Sequence, residues 1–542
     1  MPEFRATGSE KTHERFSTVS GPNNPRSVFD RSFSHKTTFN SGLLIPVFVD
    51  EVLPGDTMSL RPAFLARLST PLRPYMDGIH LDYQFWAVPL RLVWTNFVRM
   101  MGERPDPADH NDYTVPQMVA PPTIGHSPGT LSDYLTLPTQ VPDYTHSSLF
   151  HRAYSLIYQE WYRDENLQDR VQVDLDDGPD DVADYPMRRR GKRKDYFSGA
   201  LPFAQKGDPV QMPLGTTAPI TGAITGTQAP IFVGSTLGGP APLKVETTVP
   251  TGDVVWESGA SGGSQPGDLL WDDPKLDISG LSVDLSAATA ATINEMRTAI
   301  TLQHLLERDA RGGTRYRELI LSHFGVSVPD LRLFRPELLA TGSFLVNPTQ
   351  VAQTAATATP LGDLGAYSLA SQVGGGFMKS FDEHMIVMGI VSVRAELTYQ
   401  QGLHRMFSRK TRFEFYWPDL AHLGEQTVLS REIYTDGTGD EAAMTGDFSI
   451  WGYQPRYEEY RHRHSVISGE FRSVFVSSLD IWHLALDFAT RPVLNAAFIE
   501  ENPPISRILV VPSAPEFLLD CYFKIRHVRP MPKFATPGLL RF

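Results

Sequence analysis

One cysteine occurs in 542 residues, and a single thiol cannot close an intramolecular disulfide. Folding in a reducing compartment is therefore expected. Long hydrophobic runs are missing as well. No stretch is apolar for long enough to cross a bilayer, and the first residues carry no signal-peptide pattern. Net positive charge is also lacking. With 49 Lys and Arg against 62 Asp and Glu, the formal charge is −13. That excludes a whole-surface basic footprint and confines any nucleic-acid contact to local patches. Phosphate-loop, HExxH and CxxC signatures do not occur. Cys521 lies in the apolar segment LLDCYFKI and reads as a buried structural thiol.

Turn formers and aromatics are what the chain has in quantity. It holds 43 Pro, 42 Gly and 11% aromatic residues, a composition suited to β-structure with many irregular connections. LLIPVFVDEVLPGD (43–56) and MSLRPAFLARLSTP (58–71) read as strands closed by turn residues. In GIHLDYQFWAVPLRLVW (78–94), Ile79, Leu81, Tyr83, Phe85 and Ala87 alternate with His80, Asp82, Gln84 and Trp86, the period of a strand. Large aromatics on both faces imply that the outer face is covered too. Strand signals return at HMIVMGIVSVRAELTY (384–399), TRFEFYWPDL (411–420), FRSVFVSS (471–478) and in the final segment. Two helices are expected. One, in 149–167, carries the stripe Phe150, Ala153, Tyr154, Ile157 and Trp161; the other opens at Thr292 and stops at Gly312-Gly313. Two helices are too few for a doubly wound α/β fold, so an antiparallel sandwich or barrel with elaborated loops is predicted.

Five segments follow from composition: a basic, irregular N-terminal arm over 1–38; a first β-rich part over 39–207; a Gly/Thr/Pro-rich insertion over 208–290; a second β-rich part over 291–506; and a final strand with a basic arm over 507–542. The insertion is too long for an ordinary connecting loop and reads as a solvated projection. In the terminal segments, Arg5, Lys11, Arg15, Arg26, Arg31, Lys36, Lys524, Arg526, Arg529 and Lys533 are candidate contacts to nucleic acid. Phe4, Phe16, Phe29 and Phe33 are interleaved with the first of these, as in single-strand binding surfaces; the alternative is an arm that only packs on the β-rich body. RRRGKRK (188–194) follows DLDDGPDD (174–181). Arg188, Arg189, Arg190, Lys192, Arg193 and Lys194 nearly cancel the Asp residues beside them, which suggests an ion-paired loop within a subunit or between subunits, with a local nucleic-acid contact as the alternative. Arg308, Arg311 and Arg315, at the stop of the second helix, have the same expected use. His462-x-His464 could place two imidazoles on one strand face, but the spacing implies no third metal ligand.

Several blocks together resemble the major capsid proteins of microviruses, in particular the gokushovirus-like branch. They are FDRSFSHKTTFNSGLLIPVFVDEVLPGDTMSL, YRDENLQD, DYFSGALPFAQKG, TINEMRTAITLQHLLERDARGGTRYRELILSHFGV, YQQGLHRMFSRKTRFEFYWPDLAHLGEQ, YQPRYEEYR, SLDIWHL and RPMPKFATPGLL, in the family's order from residue 29 onward. The resemblance implies a single eight-stranded antiparallel jelly roll with long inter-strand insertions and a few helices. It implies sixty copies in a T=1 icosahedral shell around circular single-stranded DNA, with 208–290 as a threefold protrusion facing a host receptor. It further implies companion virion proteins (a small basic DNA-packaging protein and a pilot protein), synthesis in a bacterial cytoplasm, no cofactor or metal, no membrane insertion and no enzymatic activity. A phage receptor-binding or polysaccharide-active β-sandwich protein is the competing reading.

Overall fold

The structure, a computed structural model, describes residues 25–210, 293–327, 334–354 and 361–534, with short strands at 220–221, 231–234, 241–242, 269–270 and 282–283. The chain divides into two compact units, 1–206 with 307–542, and 207–306.

In the first unit, eight long strands make two facing sheets: β1 (Phe33–Phe39), β2 (Ile45–Val52), β3 (Thr57–Leu68), β4 (Ile79–Pro89), β5 (Glu337–Val346), β6 (Leu364–Val373), β7 (Met385–Ala395) and β8 (Phe517–Arg529). Sheet one has the order β1-β8-β3-β6; sheet two has β5-β4-β7-β2. Every pairing within them is antiparallel. Shorter strands extend sheet one: Ser27–Asp30 on β8, Pro348–Ala352 on β6 and Phe377–Ser380 on β3. The architecture is thus mainly β and antiparallel, as expected.

The two sheets differ in what covers them. In β8, Phe517, Leu519, Cys521, Phe523, Ile525 and His527 are buried, while Leu518, Tyr522, Lys524 and Arg526 are exposed. β3 alternates in the same way. Sheet one therefore has one face in the core and one in solvent. In β7 every residue but Arg394 is buried, and β4 is nearly as enclosed. Trp86, Val88, Ile386, Met388 and Ile390 of sheet two pack outward against helix α1 (Leu149–Ile157) and the segments around it. The double-sided aromatic pattern of 78–94 had this cause.

Between the sheets, Phe523 is fully buried, with ring centroids 5.1 Å from Phe48, 5.3 Å from Phe33, 6.2 Å from Phe64 and 6.3 Å from Phe85. Neighbouring Cys521 is also fully buried, and burial pushes its thiol well up. Native Cys521 is expected to resist a thiol reagent such as Ellman's and to react once the chain is denatured. Rapid labelling of the folded protein would contradict this packing.

Several sequence expectations are corrected. Residues 27–39, assigned to an irregular arm, are strands held by β8; the backbone pairs with a strand nearly five hundred residues away, which local composition does not report. TRFEFYWPDL is no strand but two short 3-10 turns, Arg412–Glu414 and Pro418–Leu420. There Arg412 lies 4.5 Å from the Trp417 ring centroid, and the Trp417 indole donates to the Arg412 carbonyl at 3.1 Å. FRSVFVSS is a loop tied to Gln400, whose side chain bonds both the amide and the hydroxyl of Ser473. The 149–167 helix ends early, its α-turns giving way to a wider turn over 158–162.

Helix α2 (Ile293–Gly312) stops at its expected glycine, with Gly313 at φ 102°; Thr292 lies outside the described residues. A third helix, α3 (Tyr316–Phe324), was missed. The Glu318 carboxylate accepts from the Arg315 amide at its start. In the second unit, Ile231–Gly234 pairs with Ala241–Pro242 and Leu269–Leu270, and Ile220–Thr221 with Ser282–Val283. Most of the 208–290 insertion lies outside the described residues. No helix among the described residues is long and apolar enough to cross a membrane.

Candidate nucleic-acid and assembly surfaces

RRRGKRK is a strap laid across the outer side of sheet two. Its backbone bonds to two flanking segments: the Leu44 amide donates to the Arg188 carbonyl (3.0 Å), Arg190 to Gly42 (2.7 Å), Glu501 to Arg190 (2.8 Å) and Lys192 to Ile499 (2.7 Å). Gly42 suits the crossing, because at φ 74° a Cβ there would lie 2.0 Å from the Glu501 carbonyl oxygen.

The strap's charges go inward. Arg190 reaches Asp82 at 2.9 Å and Ser392 at 2.7 Å, Arg394 binds the same Asp82 oxygen at 2.6 and 2.9 Å, and Arg193 stands 3.7 Å from the other oxygen. Burial would raise the Asp82 carboxyl. The Ser343 hydroxyl and the two close guanidiniums outweigh it, and hold the group below the usual carboxylate range. Arg188 and Lys192 lie over the rings of Tyr158 and Phe498, at 5.7 and 4.1 Å from the centroids. Arg189 donates to the Glu501 carbonyl and to Asn502, and Lys194 pairs with Asp164.

The acidic run is bound elsewhere. Asp180 and Asp176 hold the fully buried Arg152, Asp177 accepts from Trp94, and Asp174 accepts from Tyr185. The two runs do not balance one another: among the described residues no ion pair joins a strap cation to an Asp of 174–181. At the other candidate cluster, Arg311 pairs with Glu425, and Arg315 with Glu160, Glu165 and Glu318; Arg308 is exposed.

The terminal cations divide into two groups. Arg31 is bidentate to Asp50, Arg529 reaches the Glu51 carbonyl and buried Asp56, and Arg26 bonds Gly55 and Thr57. These three fasten strands. Phe33 likewise packs against Phe48 and Phe523 and is no free stacking ring. Lys36, Lys524 and Arg526 project from the open face of sheet one, and Lys533 is exposed beyond β8. Arg5, Lys11, Arg15, Phe4 and Phe16 lie outside the described residues. Arg61, Arg67 and Tyr522 share the open face and were missed, although the alternation in MSLRPAFLARL marks the first two as outward.

A histidine cluster also went unread. His126 and His146 share a hydrogen bond between their Nε2 atoms at 3.0 Å; the His151 ring lies 5.4 Å from that of His146, and its Nε2 bonds Ser132 Oγ at 2.9 Å. Burial, then the two neighbouring rings, lowers His151 to about 3; burial also lowers His126 and His146. The rings stay neutral in the fold, whereas the unfolded chain binds protons near pH ~6.5. Stability is therefore full above that value and falls as pH drops toward the folded-state values. Thermal melting between about pH 7.5 and 5 should show this loss, at up to ~1.4 kcal/mol per pH unit for His151. His151→Gln should flatten the dependence; an unchanged profile would argue against these rings. His462 and His464 do not share a face: His462 pairs with Glu458, and His464 packs on His404 and Phe197.

A family model described as capsid protein (F protein) matches residues 17–539. The chain belongs to this capsid protein family. It is 44% identical to the capsid protein VP1 of Bdellovibrio phage phiMH2K over 98% of both chains. It is 40% identical to the VP1 of Chlamydia phage 1, over 97% of this chain and 98% of that one. Identity to the VP1 of Spiroplasma virus 4 is 34%, over 97% of both. The gokushovirus-type resemblance read from the sequence blocks holds, and the capsid role is structural rather than enzymatic. Within a capsid subunit the strap, the Asp82 cluster and the Arg152 cluster act as internal fasteners. Sheet one offers the open surface.

Proposed function

We propose that this chain is the major capsid subunit of a small icosahedral phage, sixty copies closing a T=1 shell around circular single-stranded DNA. The observation that carries the reading is a capsid-family match that runs through both sheets and all the long connections. The sandwich is assigned as an eight-stranded jelly roll. The first, eighth, third and sixth long strands form one sheet and the second, seventh, fourth and fifth the other, an order that supports two interlocked Greek keys. Long connections between strands supply area for subunit contacts. Basic residues near both termini face the packaged DNA. The 208–290 insertion forms the threefold protrusion that meets a host receptor. A small basic DNA-packaging protein and a pilot protein complete the virion, which is made in the bacterial cytoplasm.

Negative-stain microscopy of the expressed chain with icosahedral averaging tests the assembly, and closed particles are expected. Monomers under every condition, including co-expression with the phage's other proteins, would overturn it. Deleting 208–290 should leave assembly intact and abolish host attachment; unimpaired attachment would remove the receptor role alone.

A further inference from the structure

The open face of sheet one is the least explained surface of the subunit. The central strands of sheet two, β4 and β7, are enclosed on both sides, whereas β1, β8, β3 and β6 expose their outer positions, with residues 128–134 bordering one end of that face. Register fixes what stands there. Arg526 lies beside Ser59 and Asp30, Lys524 beside Arg61, Tyr522 between Ser34 and Ala63, Asp520 between Lys36 and Leu65, and Leu518 between Thr38 and Arg67. Five cations, Lys36, Arg61, Arg67, Lys524 and Arg526, stand against two carboxylates, Asp30 and Asp520. The face is net +3 on a chain of −13. Among the described residues Lys36 alone of these five has an ion pair, 3.5 Å from Asp520 with both side chains exposed. The side chains of Arg61, Arg67, Lys524 and Arg526 make no hydrogen bond or ion pair among the described residues.

An ion-pair role inside the subunit therefore does not account for them, in contrast to the strap. Cations at adjacent strand positions stand ~5 Å apart and those two residues apart along a strand ~7 Å apart, so Arg61, Lys524 and Arg526 form one cationic cluster, while Lys36 and Arg67 stand beyond Tyr522 and Asp520. Tyr522 is half exposed beside the cluster, flanked by the small residues Ser34 and Ala63. At one end a groove of about 650 Å³ is lined by Leu65, Leu369, Leu518 and Tyr134, with two cations, Lys36 and Arg67, and two carboxylates, Asp133 and Asp520, also in its wall. Cations for phosphates, an aromatic face and an apolar groove are the parts of a sequence-tolerant single-strand platform.

We propose that the open face of sheet one binds single-stranded DNA, with Arg61, Lys524 and Arg526 on phosphates and Tyr522 stacking on a base. This rests on the shell-around-DNA reading and assigns the inner wall to one sheet. Of the terminal cations, it selects those on the sheet and leaves Arg26, Arg31 and Arg529 to structural work.

The test uses the full-length chain, a fluorescein-labelled oligodeoxythymidine of about twelve nucleotides and polarisation at several salt concentrations. The triple variant R61Q/K524Q/R526Q should lose at least ~10-fold in affinity. Its slope of log K against log salt should shrink by about 2, at ~0.7 for each phosphate that is no longer neutralised. Tyr522→Leu should weaken binding ~5-fold or more without changing that slope, and exposed Arg170→Gln should change neither. If the triple variant fails to fold, R61Q alone and K524Q alone carry the test. Wild-type affinity and slope in the variants would overturn the proposal. So would failed assembly with unchanged DNA affinity, which would assign the face to a neighbouring copy. Particles of the triple variant with full DNA content would also overturn it, while leaving the shell intact. Absence of any wild-type particle would instead sink the shell reading.

Discussion

Asp82→Asn is expected to destabilise the subunit by about 3–5 kcal/mol, the cost of leaving buried charge without its partner. Asp82 is 5% exposed and is the common acceptor for Arg190 and Arg394, with Arg193 close by. Asparagine keeps the shape and removes the negative charge, so two mostly buried guanidiniums would face each other uncompensated. Burial and Arg394 already depress Arg190, which shows how little margin the cluster has. Denaturant titration of the soluble subunit measures the loss. As a contrast, Lys194→Ala breaks an ion pair whose lysine is 59% exposed and should cost under ~1 kcal/mol. Equal losses in the two variants would mean that the Asp82 cluster is not the strap's anchor.

Phe523→Ala is expected to cost a similar ~3–5 kcal/mol by a different route, the cavity left at the meeting point of four other phenylalanine rings. Phe523→Leu, which refills most of the volume, should cost under about 1.5 kcal/mol. The alanine variant should also lower particle yield at growth temperature, since a loss of this size takes much of a domain's net stability. A melting temperature within a degree or two of wild type would show that the rings repack and that the sheets are not keyed by this residue.

The strands were legible where burial writes a period into the chain. β4 and β8 could be read because inward Tyr83, Phe85, Cys521 and Phe523 recur at every second position. FRSVFVSS misled for an instructive reason: Val474, Phe475 and Val476 favour strands intrinsically, but a strand needs a partner edge. Gln400 instead holds Ser473 in a loop, and Val476 remains fully exposed. α3 did carry a signal, with Tyr316, Leu319, Ile320 and Phe324 at helical spacing, obscured by the glycines and charges before it.

Charge partners were the least readable. Arg190 and Asp82 are 108 residues apart, whereas DLDDGPDD adjoins the strap, and adjacency in sequence says nothing about which way a side chain faces. The open face lay between these cases. Its outward positions follow from alternation in β3 and β8, but their union on one surface needs the register of β1, β8 and β3.

The position of β8 sets a timetable for synthesis. The strand that sits between β1 and β3 is the last long strand of the chain, so β1 waits for a partner that begins 478 residues after its own last residue. At roughly 5–20 residues per second, the ribosome needs about 25–100 s to deliver it. Until then sheet one has a gap at its centre, and Phe33, Phe48 and Phe64 lack the ring that joins them. A nascent or prematurely terminated subunit thus cannot close its core. Competence to join a shell is conferred only when translation is nearly complete, so the topology itself screens out unfinished chains.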